Sequence, residues 1–267
     1  MRVYIHVISF NCKLKTTLIF LIKMIFNKPK NWKQLQEYVN RIFVNIGYES
    51  SIEKNTITPR GNIDIDVFAV DVNSINKDKY IIECKWWNTK IPQTVIHAFI
   101  TVMYETGGNF GFIITKKGIQ SGATKYLKFT NIKAITFPEF QKLYFNIWYN
   151  KYFRPTLVAF SDDLLGYIEP INSRRFKHLD QLNKIQRLRY FELLDKYENF
   201  SYFILMLAST NEFLRFENIE NLKQEALNTG IDLNFNCATE LLTELEKNCK
   251  NIIVDFNEVF GENIFED

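Results

Sequence analysis

Four side chains in two short segments carry most of the chemistry this sequence can do. The first segment runs Arg60-Gly61-Asn62-Ile63-Asp64-Ile65-Asp66-Val67, and the second Ile81-Ile82-Glu83-Cys84-Lys85-Trp86-Trp87. In an extended chain successive side chains alternate between faces, so Asp64 and Asp66 share one face, as do Glu83 and Lys85. Ile63, Ile65 and Val67 take the opposite face of the first strand, and Ile82 and Cys84 that of the second. Three carboxylates and a lysine are therefore expected at the end of a hairpin whose other face is apolar. Gathering like charges is costly unless a cation compensates them. A hard divalent ion held by Asp66, Glu83 and a backbone carbonyl does so, and Mg2+ suits that oxygen set. Lys85 then has a task, because its ammonium can orient or deprotonate an attacking water and stabilise charge on a phosphorane-like transition state. The competing interpretation is an exposed strand face of ordinary charges, and the two pairs alone do not choose between them.

The elements that must position these groups are legible on either side. Asn31 opens a helix as its cap, with Gln34 placed to reach back, and Leu35, Val39, Ile42, Phe43 and Ile46 form a one-sided apolar stripe that Gly47 ends. Strands are predicted over Tyr48–Thr58, Ile63–Val70 and Tyr80–Lys85, with a turn at Pro59-Arg60-Gly61-Asn62 and the second and third strands forming a hairpin. Pro92 starts a helix that runs to about Glu105, with Val95, Phe99 and Val102 facing the core and Gly107-Gly108 ending it. Phe110–Thr115 is a short apolar strand, as for one buried on both faces. A helix from about Gln120, a strand Ile132–Phe137 and a helix Pro138–Tyr149 follow. The order predicts an α/β fold, a mixed sheet flanked by helices. Beyond Arg154-Pro155 the patterning turns mainly helical, and the apolar run Tyr202–Leu207 is expected to be buried.

An Asp, then about 17 residues, then Glu-x-Lys on the next strand with a helix after it resembles the PD-(D/E)xK nuclease superfamily. Within it, the segments Gly61-x-x-x-Ile65-Asp66-Val67-x-Ala69, Ile81-x-Glu83-Cys84-Lys85 and Ile91-Pro92-Gln93-x-Val95-x-His97-Ala98-Phe99 are similar to Mrr-like restriction endonucleases, over roughly residues 31–150. The resemblance implies a restriction-endonuclease-like fold, with Asp66 as the motif aspartate, Glu83 as the second metal ligand and Lys85 as the catalytic lysine. Ile65 replaces the proline of the superfamily name, and Glu83 stands where many Mrr proteins have Gln, which keeps a full metal ligand. The family often places a Gln near the lysine, and Gln93, on the first turn of its helix, is assigned to the site on that ground. His97 shares its face but is read as structural. Glu37 resembles a first-helix glutamate that some members add to the metal site, with solvent exposure the equal alternative. Asp64 either assists the site or pairs with Arg60.

For DNA contact the candidates are Arg60, Lys90, Lys116, Lys117 and Ser121, with Trp86, Trp87, Gln120 and Lys125 behind them; Lys116-Lys117-Gly118 precedes a helix whose amides can receive a phosphate. Paired tryptophans can stack on bases, although packing under the hairpin is the favoured role. In the second half Arg174, Arg175, Lys177, Lys184, Arg187 and Arg189 form a basic segment that would grip the DNA backbone or dock on the acidic helices after Glu212.

Composition agrees with a nucleic-acid partner. The chain of 267 residues is 46% hydrophobic, 15% aromatic and 24% charged, which excludes a disordered or collagenous protein. The net charge of +3 hides an asymmetry: residues 1–150 hold 20 Lys and Arg against 10 Asp and Glu, and residues 151–267 hold 13 against 20. A basic half faces a polyanion readily. Cys12, Cys84, Cys237 and Cys249, and His6, His97 and His178, are too scattered for a zinc site or a disulfide framework, so reduced thiols in a cytoplasmic protein are expected. Lysines interrupt the apolar N-terminus before it reaches the ~18 residues of a membrane span. Met24 is read first as the true start, an extra packed element second and a membrane anchor last.

Three regions are expected: an apolar and basic extension over 1–28, a nuclease domain over 29–150 and a mainly helical accessory domain over 151–267. The function expected is Mg2+-dependent endonucleolytic cleavage of DNA in defence against foreign or modified DNA, with a homodimer where both strands are cut and no small-molecule cofactor. The rivals are a repair or junction-resolving nuclease and a non-hydrolytic DNA-binding subunit.

Overall fold

A computed structural model describes residues 24–209 and 219–266. The expectations for residues 1–23, including the start at Met24 and the anchor, and for Glu212 lie outside these residues. The described residues divide into two compact units, one of residues 26–151 and one of the others.

The first unit is the predicted mixed sheet. Helix α1 (Trp32–Asn45) leads into β1 (Glu49–Thr58), β2 (Gly61–Val70) and β3 (Lys79–Lys85). Then come α2 (Gln93–Thr106), β4 (Phe110–Thr115), a 3-10 turn (Ser121–Ala123) with the one-turn α3 (Thr124–Leu127), β5 (Ile132–Thr136) and α4 (Phe137–Trp148). The five strands lie in sequential order, β1-β2-β3 antiparallel and β3-β4-β5 parallel. Asn31 caps α1 by accepting the Gln34 N–H at 2.9 Å, but Gln34 reaches back to the Lys30 N–H, one residue beyond the partner of the usual box. Every residue of the α1 stripe is buried, and Gly47, at φ 88°, turns the chain off the helix. In α2 the buried stripe is Ile96, Phe99 and Met103 rather than Val95, Phe99 and Val102. Three- and four-residue steps from Phe99 fit both sets, and Ile113 and Ile132 of the sheet receive the first. Where a helix was expected from about Gln120, the chain makes the 3-10 turn and only four α-helical residues, because Gly122 and the polar stretch around it offer no continuous apolar stripe.

The second unit is helical, through α5 (Arg154–Ile168), α6 (Ser173–Gln181), α7 (Lys184–Ala208), α8 (Ile219–Leu227) and α9 (Ala238–Phe260). Helices α5, α7 and α9 pack on one another. Tyr167 stacks on Phe256 with ring centroids 4.9 Å apart, and its hydroxyl donates to Asn257 Oδ1 at 2.7 Å. Arg175 is not a surface cation as expected: it is buried, and its guanidinium donates to the Tyr167 and Pro170 carbonyls and to the Tyr190 hydroxyl. Arg187 and Arg189 pair with Asp180 and Glu192. The run Tyr202–Leu207 is buried on one side alone, through Phe203, Ile204 and Leu207, while Tyr202 and Leu205 are exposed because they take the other face of α7. Cys84, Cys237 and Cys249 are free and buried. Among the described residues no helix is long and apolar enough to cross a membrane.

Candidate active site

The site lies where the β2–β3 ladder opens. Its pairs run from Val70 and Lys79 to Val67 and Ile82 and go no further. At the next step the Cys84 N–H, which has no β2 carbonyl to meet, donates instead to Asp66 Oδ2 at 2.7 Å. Asp66 Oδ1 accepts from Gln36 Nε2 of α1 at 2.8 Å. On the other flank, the β1–β2 register passes from Ile52 and Val67 to Lys54 and Ile65 without pairing Glu53, which sits at φ 51°. A non-glycine residue there costs about 1 kcal/mol. The strict alternation assumed for β2 fails here too. Ile63, Ile65 and then Phe68 pack on the cluster of Ile81 and Phe99, so the strand skips a step around Asp66. The irregularity turns the carboxylate toward α1 and β3 instead of leaving it on a flat strand face.

Glu83 and Lys85 meet Asp66 from β3. They form an ion pair with each other, each about one-quarter exposed. Burial pushes the Glu83 carboxyl above its usual range, the Asp66 charge pushes it further, and the Lys85 ammonium pulls the other way. Two carboxylates thus lie near each other with one ammonium, which pairs with Glu83. The imbalance is what a bound cation relieves, and the donor chemistry fits a hard divalent ion, which takes one or two carboxylates and completes its shell with carbonyls and water. Among the described residues there is no group of three or more His, Cys, Asp or Glu side chains set to hold a metal. The Cys84 thiol is raised well above its usual value by burial and by the charges of Asp66 and Glu83, so it has no thiolate to offer as a nucleophile.

A cleft of about 360 Å3 opens over Asp66 and Lys85, lined by Lys30, Asn31 and Trp32 from the start of α1, Asp66, Cys84 and Lys85 from the strands, and Trp86 and Trp87 after β3; Glu83 itself does not line it. The remaining expected residues do not line it either. Asp64 is exposed and accepts from Asn55 of β1 at 2.8 Å, so it joins neither the site nor Arg60. Arg60 pairs with Glu105 at 2.6 Å, near the end of α2. That is about 18 Å of helix away from Gln93 at its start. Gln93 shares a hydrogen bond with His97 at 2.9 Å, and His97 is exposed against the edge of Tyr126, not set in a helix–sheet seam. Glu37 is exposed. Its neighbour Gln36, 2% exposed, is the α1 residue that reaches the motif aspartate. The signal that could have found it is a polar residue inside the apolar stripe. Lys116 donates to Asn88 at 2.6 Å and lies over the Trp86 ring at 5.1 Å, while Lys90, Lys117 and Ser121 are exposed. The loops that carry them are tied by the bridge of Ile91 to Ile119.

Residues 29–144 match the family model described as restriction endonuclease, the catalytic domain of the Mrr type. Over 86% of this chain and 99% of the other, the structure is similar at a TM-score of 0.37 and 14% identity to the crystal structure of a protein of unknown function, AF1548. No curated protein matches the sequence significantly.

Proposed function

We propose that the chain, whose residues 29–144 match the restriction endonuclease family model, is a Mg2+-dependent DNA endonuclease acting at Asp66, Glu83 and Lys85, in cytoplasmic defence against foreign or modified DNA. The observation that carries the reading is the junction of two carboxylates and one ammonium at the opened β2–β3 ladder, over an accessible cleft. Asp66 and Glu83 would hold the cation. When bound, it supplies Lewis acidity toward the phosphate and neutralises charge on the departing 3′ oxygen. Gln36 and the Cys84 amide hold the Asp66 carboxylate in one orientation. The Lys85 ammonium exchanges its pairing with Glu83 for the scissile phosphate and orients the water that attacks in line. Lys90, Lys116, Lys117 and Ser121 contact the backbone beside the cut, whereas Arg60 is held at a distance by Glu105. Gln93, coupled to His97, is a positioning residue at the start of α2.

The test is cleavage of supercoiled plasmid, methylated and unmethylated, by wild type and Lys85→Ala with Mg2+ or EDTA. The expected result is Mg2+-dependent cutting that EDTA abolishes and Lys85→Ala lowers at least about 100-fold, as for loss of a transition-state charge contact. Linearisation in place of nicking would accord with paired active sites in a homodimer, and a preference between the two DNAs with restriction. Cutting by Lys85→Ala at the wild-type rate would refute the assignment.

A further inference from the structure

Three of the four tryptophans of the chain, Trp32, Trp86 and Trp87, line the cleft that holds Asp66 and Lys85. Packing under the hairpin, the role the sequence favours for Trp86 and Trp87, would bury that pair. Instead Trp32 is 46% and Trp87 43% exposed, and Trp86 is half-buried. Each ring has an ammonium near its face, Lys33 at 5.5 Å from Trp32, Lys85 at 5.8 Å from Trp87 and Lys116 at 5.1 Å from Trp86. Indole surface left exposed to water and gathered in one cleft beside candidate catalytic groups marks an interaction site, with the ammonium over each ring leaving its other side for a partner. In paired duplex the faces of the bases are covered by their neighbours and present edges to the grooves, which gives an indole face nothing to stack on. An unpaired nucleotide has a free π-face, and aromatic platforms rimmed by cations are how proteins hold such strands without reading sequence.

We propose that this cleft accepts DNA with an unpaired nucleotide next to the scissile phosphate, its base stacked on Trp87 and Trp32 while the three lysines meet the flanking phosphates. The substrate class is therefore single strands, tails and locally opened duplex in preference to intact duplex. This inference rests on the nuclease reading for its cleavage arm alone.

One labelled oligonucleotide presented as a single strand, as a duplex with an unpaired tail and as a blunt duplex tests it on the full chain. Binding is read in EDTA by tryptophan quenching, and cleavage with Mg2+. Wild type is expected to bind and cut the unpaired forms about tenfold better than the blunt duplex, with quenching of the exposed indoles. Trp87→Ala and Trp32→Ala should each lose roughly 5- to 150-fold in single-strand affinity, Trp87→Phe should keep most of it, and blunt-duplex binding should change little. Equal handling of all three DNAs by wild type, or equal losses on all three in the tryptophan variants, overturns the proposal. Cleavage lost in Lys85→Ala but without strand preference would leave the nuclease reading standing and remove the platform. The binding pattern without any cleavage would do the reverse.

Discussion

Asp66 is held by two donors before any substrate arrives, and one of them was invisible to motif reading. Gln36 occupies a buried place in α1 where the apolar stripe leads one to expect an aliphatic side chain, and its amide is committed to the carboxylate. Positioning residues of this kind cost 10–100-fold in activity or ion affinity when removed, as a general magnitude. Gln36→Ala is therefore expected to lower plasmid cleavage by about that factor and to weaken Mg2+ activation, while circular dichroism stays unchanged. Full activity in that variant would show that Cys84 alone orients Asp66. That Asp66, Glu83 and Lys85 come close together was readable because neighbouring strands and residue spacing dictate it. The fates of Asp64 and Arg60 were not, since both are settled by partners, Asn55 and Glu105, that are distant in the chain or on another strand.

At the scale of elements, strand and helix order was legible from periodicity and from Gly and Pro, and the strand limits shift by a residue or two. What periodicity could not provide is the step in β2 around Asp66, because a break in alternation leaves no mark in the residue types. The choice between two overlapping stripes on α2 was equally closed, since the sheet decides it. That choice has a consequence. Met103 and Phe99 close on Gly111 of β4, where a Cβ would stand 2.9 Å from Met103 Sδ and from Phe99 Cε1. Gly111→Ala should destabilise the sheet unit by about 1–3 kcal/mol through overpacking, measured as a lowered denaturant midpoint. No change would mean that α2 can slide on the sheet.

For the molecule as a whole, the charge asymmetry and the loss of strand signal beyond residue 154 pointed to a change of architecture, and the helical unit bears out the change of pattern. Its basic segment misled because a guanidinium can serve the interior: Arg175 is surrounded by carbonyl and phenol oxygens. The neighbouring phenol gives this unit an alkaline limit. Burial pushes the Tyr167 hydroxyl up to about 12, with the charges of Asp163, Glu262 and Glu266 adding to it and the Ile264 N–H opposing. A group raised above its unfolded value of about 10 lends stability that is complete below that pH and is lost as pH rises through the folded value. Thermal midpoints should accordingly fall between about pH 10 and 12, and Tyr167→Phe should flatten that fall. An unchanged slope in the variant would assign the alkaline loss to other groups.

The missing rung at Cys84 makes one amide proton unlike its neighbours in β3. Ordinary ladder amides face carbonyls whose charge never changes, whereas this one faces an ionisable acceptor. Anything that draws electron density from Asp66, whether a proton or a bound ion, must shift its resonance and its rate of exchange with solvent. Labelled cysteine at position 84 would thus give a spectroscopic readout of the site at rest, with no turnover required.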